Sequence, residues 1–435
     1  MSEQRIRTTQ VREFAGEQVS VAGWIHTIRR LSRVAFVVLR DGWGTVQIAV
    51  GPETLEMLKR ARAGPESVVR VKATAVADAR APGGVELNEA TFEVIVAVAE
   101  PLPVALGPAV HKARLPTALD HAPTTLREPS RRAALRVAAA ATAGFRATLG
   151  GLGFTEINTP RIVAAATEGG ANVFEVQYFD TRAYLAQSPQ LYKQMMVGVL
   201  ERVFEVGAVF RAEPHATVRH LAEYVSLDVE FGFIESYLEV AAMVGEVLRG
   251  MLRHIEAAVP EALHTTEAVL PTIPEVLPHV SFAEARRMLH AASQGPEHAQ
   301  DLAPGEERWL GAWAKEHHRS DVLVVTGYPM AKRPFYTHPS AEDPAVSNSF
   351  DVLFRGTELV TGGQRLHRHG DVVDALARAG QEPAAFAGYL EAFRFGMPPH
   401  GGFAIGLERF VAQLLGLANV RLARAFPRDA HRTQP

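Results

Sequence analysis

Val209-Phe-Arg-Ala-Glu-Pro-His-Ala-Thr-Val-Arg-His-Leu-Ala-Glu-Tyr-Val-Ser-Leu-Asp-Val-Glu-Phe-Gly-Phe233 is the stretch on which the fold turns. Its flanks alternate as strands do, with Phe204 and Val206 leading in and Leu227, Val229, Phe231 and Phe233 leading out. The middle is polar. A strand, a loop and a second strand would hold Arg211, Glu213, Arg219 and Glu223 over one cleft. Planar guanidiniums grip phosphate oxygens in a fork, and glutamates accept protons from amines and hydroxyls. The ligand this predicts carries both phosphate and donor groups, as a nucleotide does.

The 435 residues are 47% hydrophobic, enough for two or three domains with sizeable cores. A net charge of −3 argues against nucleic-acid binding through general positive charge, while leaving room for a local basic face. Cysteine is absent, which excludes disulfides, a thiolate zinc site and a cysteine nucleophile. No apolar run approaches the roughly 18–20 residues that span a bilayer, and no signal core follows the N-terminus. A cytoplasmic protein without a membrane segment is expected.

Residues 17–99 read as five short strands. The runs are Val19–Ile25, Phe36–Leu39, Gly44–Val50, Val68–Val76 and Phe92–Val98, with a helix at 52–63 after the third and a turn at Pro82-Gly83-Gly84. That pattern predicts a small closed barrel of the OB type, a fold that commonly binds oligonucleotides. Residues 101–130 hold Pro101, Pro103, Pro108, Pro116, Pro123 and Pro129 with little periodicity, which reads as a linker or hinge. Helices are expected over Arg131–Gly150, Tyr237–Val259, Leu302–His318, Pro383–Phe395 and a final stretch opening near Gly406. Strands are expected at Glu156–Pro160, Val322–Thr326, Phe350–Phe354 and Glu358–Gly362. Strands and helices do not alternate regularly, and neither a dinucleotide fingerprint nor a P-loop occurs. A nucleotide would therefore sit on an antiparallel sheet flanked by helices.

Three further segments carry chemistry. Gly401-Gly-Phe-Ala-Ile-Gly-Leu-Glu-Arg-Phe410 reads as a glycine turn before an amphipathic helix, with Arg409 close to a helix start that attracts phosphate. Asp351, Glu358 and Thr361 offer oxygen ligands of the kind Mg²⁺ prefers, and solvated turn carboxylates are the alternative. Gln187-Ser-Pro-Gln-Leu-Tyr-Lys-Gln194 presents amides, a hydroxyl and an ammonium. With Glu168 suited to an α-ammonium, and Lys193 and Arg365 to a carboxylate, these residues suit an amino acid.

Taken together these segments resemble a family. Phe210-Arg-Ala-Glu213 and Gly406-Leu-Glu-Arg409 are similar to motifs 2 and 3 of the class II aminoacyl-tRNA synthetases, and the helix before Gly151 with the strand ending at Pro160 resembles motif 1, a dimer-interface element. The barrel placed before that domain resembles subclass IIb. Gln187–Lys193, Pro334–Thr337, Ser349–Asp351 and Gly362–His367 resemble the aspartyl-tRNA synthetases, and Pro398-Pro-His-Gly-Gly402, with no long insert between motifs 2 and 3, resembles their archaeal-type form. The resemblance covers essentially the whole chain. It implies an α+β architecture: an OB-fold anticodon-binding barrel over 1–103, a linker over 104–128, and a catalytic domain with an antiparallel sheet flanked by helices over 129–435.

The resemblance also implies an aspartate–tRNA ligase that uses ATP and Mg²⁺. Glu168, Ser188 and Gln190 would hold the substrate's ammonium end; Lys193 and Arg365 would face its side-chain carboxylate, with Thr361 nearby. Arg211 would bridge the α-phosphate and the amino acid. Glu213 would contact adenine and Tyr224 would stack on it, Arg219 and His220 would meet the outer phosphates and Arg409 the γ-phosphate, and Ala212, Leu221, Glu358, Gly406, Leu407 and Glu408 would complete the ATP site. Arg211, Glu213 and Arg409 would be catalytic, and Asp351, Glu358 and Thr361 would hold the metal. In the barrel, Phe36, Gln47 and Glu86 match positions that contact anticodon bases, while His26 and Pro82 lie where the third base is read; this favours relaxed specificity, with tRNA(Asn) charged beside tRNA(Asp). Such an enzyme would feed an Asp-tRNA(Asn) amidotransferase and act as a homodimer. The competing readings are an asparaginyl-tRNA synthetase, an asparagine synthetase on the same catalytic domain, and an inactive synthetase-like tRNA-binding protein.

Overall fold

In a computed structural model the chain is described over residues 4–31, 35–107, 113–164, 172–214 and 217–434. It divides into two compact units, Met1–Pro103 and Val104–Pro435.

The first unit contains strands β1 (Gln18–Arg30), β2 (Ala35–Arg40), β3 (Thr45–Val50), β4 (Val68–Ala77) and β5 (Val85–Val96), and helix α1 (Pro52–Arg60) after the third strand. They close into a barrel in the order β1-β2-β3-β5-β4. Strict alternation builds it. Val37, Leu39, Val46, Ile48, Val50 and Leu87 point inward and are buried, leaving Phe36, Gln47 and Glu86 on the outer face. Asp41 makes the β2–β3 turn, its Oδ1 accepting from the Trp43 and Gly44 amides at 2.7 and 2.8 Å. The fifth strand begins earlier than its apolar residues suggest. A bulge opposite Lys72–Thr74 and a left-handed Glu89 (φ 53°) absorb the polar run that precedes Phe92.

In the second unit the strands are β6 (Thr155–Glu156), β7 (Ile162–Val163), β8 (Glu175–Tyr178), β9 (Thr181–Leu185), β10 (Arg202–Phe210), β11 (Glu223–Gly232), β12 (His279–Ser281), β13 (Val322–Thr326), β14 (Ser349–Phe354), β15 (Thr357–Gln364) and β16 (His400–Gly406). The principal helices are α2 (Pro129–Gly151), α3 (Gln190–Leu200), α4 (Tyr237–Ala258), α5 (Pro304–His318) and α6 (Leu407–Leu414). Eight strands form one sheet in the order β12-β13-β14-β15-β16-β11-β10-β6, while β7, β9 and β8 form a small separate one. The centre of the large sheet is antiparallel as expected, but its edge pairs β6–β10 and β12–β13 are parallel, so the sheet is mixed. Residues of α2, α4 and α6 bury one face over Phe204, Leu227, Val229, Phe403 and Ile405. Ser236 and Glu239 start α4 as a capping box, with Ser236 Oγ accepting from the Leu238 amide at 3.2 Å and Glu239 Oε1 from the Ser236 amide at 2.9 Å.

Two expectations are corrected here. The proline-rich stretch holds short helices at Leu115–Asp120 and Ala122–Thr125, with Pro116 and Pro123 in their first turns, where the missing amide costs no hydrogen bond. Residues 400–406 are a central strand rather than a glycine turn. Gly402 is required there because a Cβ would lie 2.1 Å from Val229 O and 2.2 Å from Glu230 Oε2.

Candidate active site

The floor of the site follows from the period of two in β11 and β16. Tyr224, Ser226, Asp228 and Glu230 share one face of β11, and β16 places Gly406 opposite Ser226, Ala404 opposite Asp228 and Gly402 opposite Glu230. Small residues on β16 leave space above the sheet, while Phe403 and Ile405 fill the core beneath it.

At the Tyr224 end lies a cavity of about 280 Å³. Arg211, Glu213, Arg219, His220, Leu221 and Tyr224 line it from the β10–β11 hairpin; Glu358 and Thr361 come from β15, and Gly406, Glu408 and Arg409 from the junction of β16 with α6. Sequence positions nearly 200 apart thus meet in one cavity. The Arg211 guanidinium stands 5.6 Å from the Tyr224 ring centroid and 3.8 Å from Glu213, and Glu213 also lies 3.6 Å from His220 Nε2. Arg409 Nη1 donates to Glu358 O at 2.8 Å, and Thr361 Oγ1 donates to Glu358 Oε1 at 3.3 Å. Three guanidiniums, of the kind that suits phosphate, thus reach one cavity, each beside a carboxylate: Arg211 beside Glu213, Arg219 beside Glu307 at 2.8 Å and Arg409 beside Glu358 at 3.6 Å.

Some expected residues lie elsewhere. Glu223 turns away from the cavity and pairs with Arg424, so the hairpin brings two arginines but only Glu213 of its two glutamates to the cleft. Glu408 lines the cavity yet is committed: it accepts from the Val225 amide at 3.1 Å and pairs with Arg424 at 2.7 Å. Burial raises its pKa, with Arg424 pulling the other way. The Leu407 side chain belongs to the core. Ala212 contributes its amide to Asn172 O at 3.0 Å. Glu168 lies outside the described residues.

Further along the same face of β11 sits a buried charge network. Lys193 Nζ on α3 is 3.0 Å from Asp228 Oδ1 and 3.3 Å from Glu230 Oε2. Arg365 Nε donates to Glu230 Oε1 at 3.0 Å, and its Nη2 donates to Gly402 O at 3.0 Å and Gln190 Oε1 at 3.5 Å. Gln190 Nε2 reaches Glu230 Oε2 at 3.3 Å, while Ser188 Oγ accepts from the Gln190 amide at 3.1 Å. Burial works against the Glu230 carboxylate, but Arg365 and Lys193 outweigh it and hold its pKa below the usual range. Lys193 and Arg365, which the sequence suits to a substrate carboxylate, thus already face protein carboxylates: Asp228 and Glu230 stand as two acidic groups against the two basic ones. Beside it, His400 Nδ1 donates to Pro398 O at 2.9 Å, so Nε2 is the acceptor for Gln194 Nε2 at 2.9 Å. Burial drives the pKa of His400 down to about 4.

Asp351 lies across the β14–β15 pairing from Thr361, but it does not line the cavity. Its Oδ2 pairs with Arg333 at 3.1 Å, and its buried Oδ1 has no hydrogen-bond partner among the described residues. Burial pushes its pKa up to about 6, with Arg333 opposing and Glu358 adding to the rise. Among the described residues there is no group of three His, Cys, Asp or Glu that could hold a metal. On the barrel, Gln47 Nε2 donates to Glu86 Oε2 at 3.3 Å, and Phe36 lies two residues from Val38, the partner of Gln47. His26 is not a strand-end residue; it sits where the β1–β2 register shifts between Ile25 and Thr27. Pro82 opens a short helical turn with Gly83 and Gly84 at positive φ.

Sequence reasoning missed Asp228 and Glu230, the Gln194–His400 contact, and the partners Arg333, Glu307 and Arg424. Acidic residues at alternate positions of an otherwise apolar strand were the available signal for the first two.

Residues 115–430 match the model of a family described as tRNA synthetases class II (D, K and N), and residues 19–100 match the OB-fold nucleic acid binding domain. The chain is 46% identical over 431 residues to an aspartate–tRNA(Asp/Asn) ligase of Thermus thermophilus, covering 99% of this chain and 100% of that protein. A ligase of the same name from Aeropyrum pernix is 42% identical, covering 97% and 96%. Among solved structures, asparaginyl-tRNA synthetase from Pyrococcus horikoshii complexed with asparaginyl-adenylate superposes with a TM-score of 0.90 at 32% identity, covering 99% of this chain and 100% of that one.

Proposed function

We propose, from the premise that this chain belongs to the class II tRNA synthetases (D, K and N), that it is an aspartate–tRNA ligase of relaxed tRNA specificity. One observation carries the substrate reading: a single face of β11 runs from a cavity ringed by Arg211, Arg219 and Arg409 to the buried pair Lys193 and Arg365. Successive residues on one strand face are about 6.5–7 Å apart. The run from Tyr224 to Glu230 thus spans about the length of an aminoacyl nucleotide.

The reaction has two steps. The aspartate α-carboxylate attacks the α-phosphorus of ATP, expelling pyrophosphate; the terminal ribose hydroxyl of tRNA then attacks the acyl carbon, expelling AMP. Arg211 stabilises charge building at the α-phosphate, Arg219 and Arg409 hold the outer phosphates, and Tyr224 with Glu213 orients the base. No protein nucleophile is required, since positioning and electrostatics supply most of the catalysis in phosphoryl transfer. Lys193 donates one ammonium proton to Asp228 and lies 3.3 Å from Glu230, and Arg365 directs Nε and Nη2 to the protein. The donors left over suit a carboxylate side chain. An asparagine amide would turn N–H groups towards them, which argues against the asparaginyl reading despite the Pyrococcus similarity. Ser188 and Gln190, with Glu168, serve the ammonium end.

Mg²⁺ fits Asp351, Glu358 and Thr361: all donors are oxygens, and a cation would relieve the buried Asp351 oxygen and its repulsion from Glu358. When bound it would neutralise phosphate charge. On the barrel, Phe36 stacks on an anticodon base while Gln47 and Glu86 read base edges, with His26 and Pro82 bordering the third base. The partners are tRNA(Asp) and tRNA(Asn), a second copy of the chain across α2, and an amidotransferase that consumes Asp-tRNA(Asn). The setting is the cytoplasm; among the described residues no helix is long and apolar enough to cross a membrane. ATP–pyrophosphate exchange with aspartate and asparagine side by side tests the reading. Exchange only with aspartate is expected, and exchange driven by asparagine overturns it.

A further inference from the structure

We infer that Glu307, on a helix outside all three signature motifs, is a positioning residue for the phosphate end of the nucleotide cavity. The inference rests on the reading of Arg219 and Glu358 given above. The Glu307 side chain is only 6% exposed and does not line the cavity. One of its oxygens nevertheless serves two elements that do. Oε2 accepts from Arg219 Nη1 at 2.8 Å and from the Glu358 amide at 3.0 Å. Glu358 in turn accepts Arg409 Nη1 on its carbonyl and Thr361 Oγ1 on its carboxylate. A single buried carboxylate thus ties the β10–β11 loop to β15 and, through Glu358, to the arginine of α6.

The seat for this carboxylate is built by two glycines. The β14–β15 turn is Arg355-Gly356, with Gly356 at φ +72°. A Cβ on Gly356 would lie 2.8 Å from Arg308 Cα, and one on Gly311 would lie 2.5 Å from Gly356 Cα. Backbone meets backbone, and α5 sits low enough on the turn for Glu307 to reach the Glu358 amide. A guanidinium has five donors in a fixed fork. One goes to Glu307, and the Arg219 side chain still lines the cavity and stays 28% exposed. An arginine already held in place loses less freedom when a ligand arrives, so the benefit belongs to ATP binding rather than to aspartate.

The test is ATP–pyrophosphate exchange by the full-length enzyme, varying ATP, aspartate and Mg²⁺ in turn. Glu307→Gln keeps an oxygen for the Glu358 amide and removes the charge opposite Arg219. It is expected to raise KM for ATP by roughly ten- to a hundredfold, the range for losing a charge-assisted hydrogen bond, with KM for aspartate and the Mg²⁺ midpoint unchanged. Glu307→Ala removes both contacts and is expected to raise the Mg²⁺ midpoint as well; Gly311→Ala, which pushes α5 off the turn, is expected to behave like it. Adding Glu307→Gln to Arg219→Ala should have no further effect on KM for ATP. An unchanged or lowered KM for ATP in Glu307→Gln overturns the inference, the lowered value showing that Glu307 competes with phosphate for Arg219. If Arg219→Ala itself leaves KM for ATP unchanged, the assignment of Arg219 fails instead.

Discussion

Replacing Arg365 by leucine removes the cation that joins most of the amino acid subsite. Its side chain contacts Glu230 at 3.0 Å, Gly402 O at 3.0 Å and Gln190 Oε1 at 3.5 Å, and Glu230 has no solvent exposure. The network then passes from two positive and two negative groups to one positive and two negative. Breaking a buried pair by removing one partner costs about 3–5 kcal/mol of stability, because the remaining charge stays buried. The cost to aspartate is separate. Two unit charges about 4 Å apart interact by about 4 kcal/mol at an effective dielectric of about 20, and each 1.4 kcal/mol is tenfold. A drop of about a thousandfold in kcat/KM for aspartate follows. KM for ATP should stay within about twofold, because the cavity arginines are untouched. Pyrophosphate exchange measures both constants without tRNA, and thermal unfolding reports the stability term. If the folded variant keeps aspartate kcat/KM within tenfold of the parent, Arg365 does not hold the substrate carboxylate.

Other outcomes follow from the same geometry. His400 is neutral in the folded protein with its pKa near 4, against about 6.5 in an unfolded chain; the unfolded state therefore binds the extra proton first, and stability falls as pH drops from about 6.5 to about 4, by up to about 3 kcal/mol. Thermal unfolding across that range should show a loss that is diminished in His400→Gln. Gly402→Ala drives a Cβ into Val229 O and Glu230 Oε2, and a loss of about 1–3 kcal/mol or more is expected by denaturant unfolding. Phe36→Ala should raise KM for tRNA roughly ten- to a hundredfold, the worth of one stacked base, while leaving pyrophosphate exchange unaltered.

The β10–β11 hairpin was legible because alternation and a polar loop coincide, and Arg211, Arg219 and Arg409 were legible because few other residues suit phosphate. The barrel was legible for the same periodic reason, except where Glu89 and the bulge carry β5 through polar residues. What stayed hidden depends on distance across the fold. Gly401 and Gly402 look like a turn, and only the neighbouring strand shows that they are flat space in a sheet. Asp228 and Glu230 look like the solvated side of a strand until Lys193 and Arg365 arrive from positions 35 and 135 residues away. Prolines read as linker start three helices instead.

The most direct test of the account is aspartate acceptance by purified transcripts of tRNA(Asp) and tRNA(Asn), assayed in parallel with the wild-type enzyme. Aspartyl ester on both is the expected result. Aspartate on tRNA(Asp) alone would contradict the relaxed specificity, and no aspartyl product on either transcript would contradict the assigned activity.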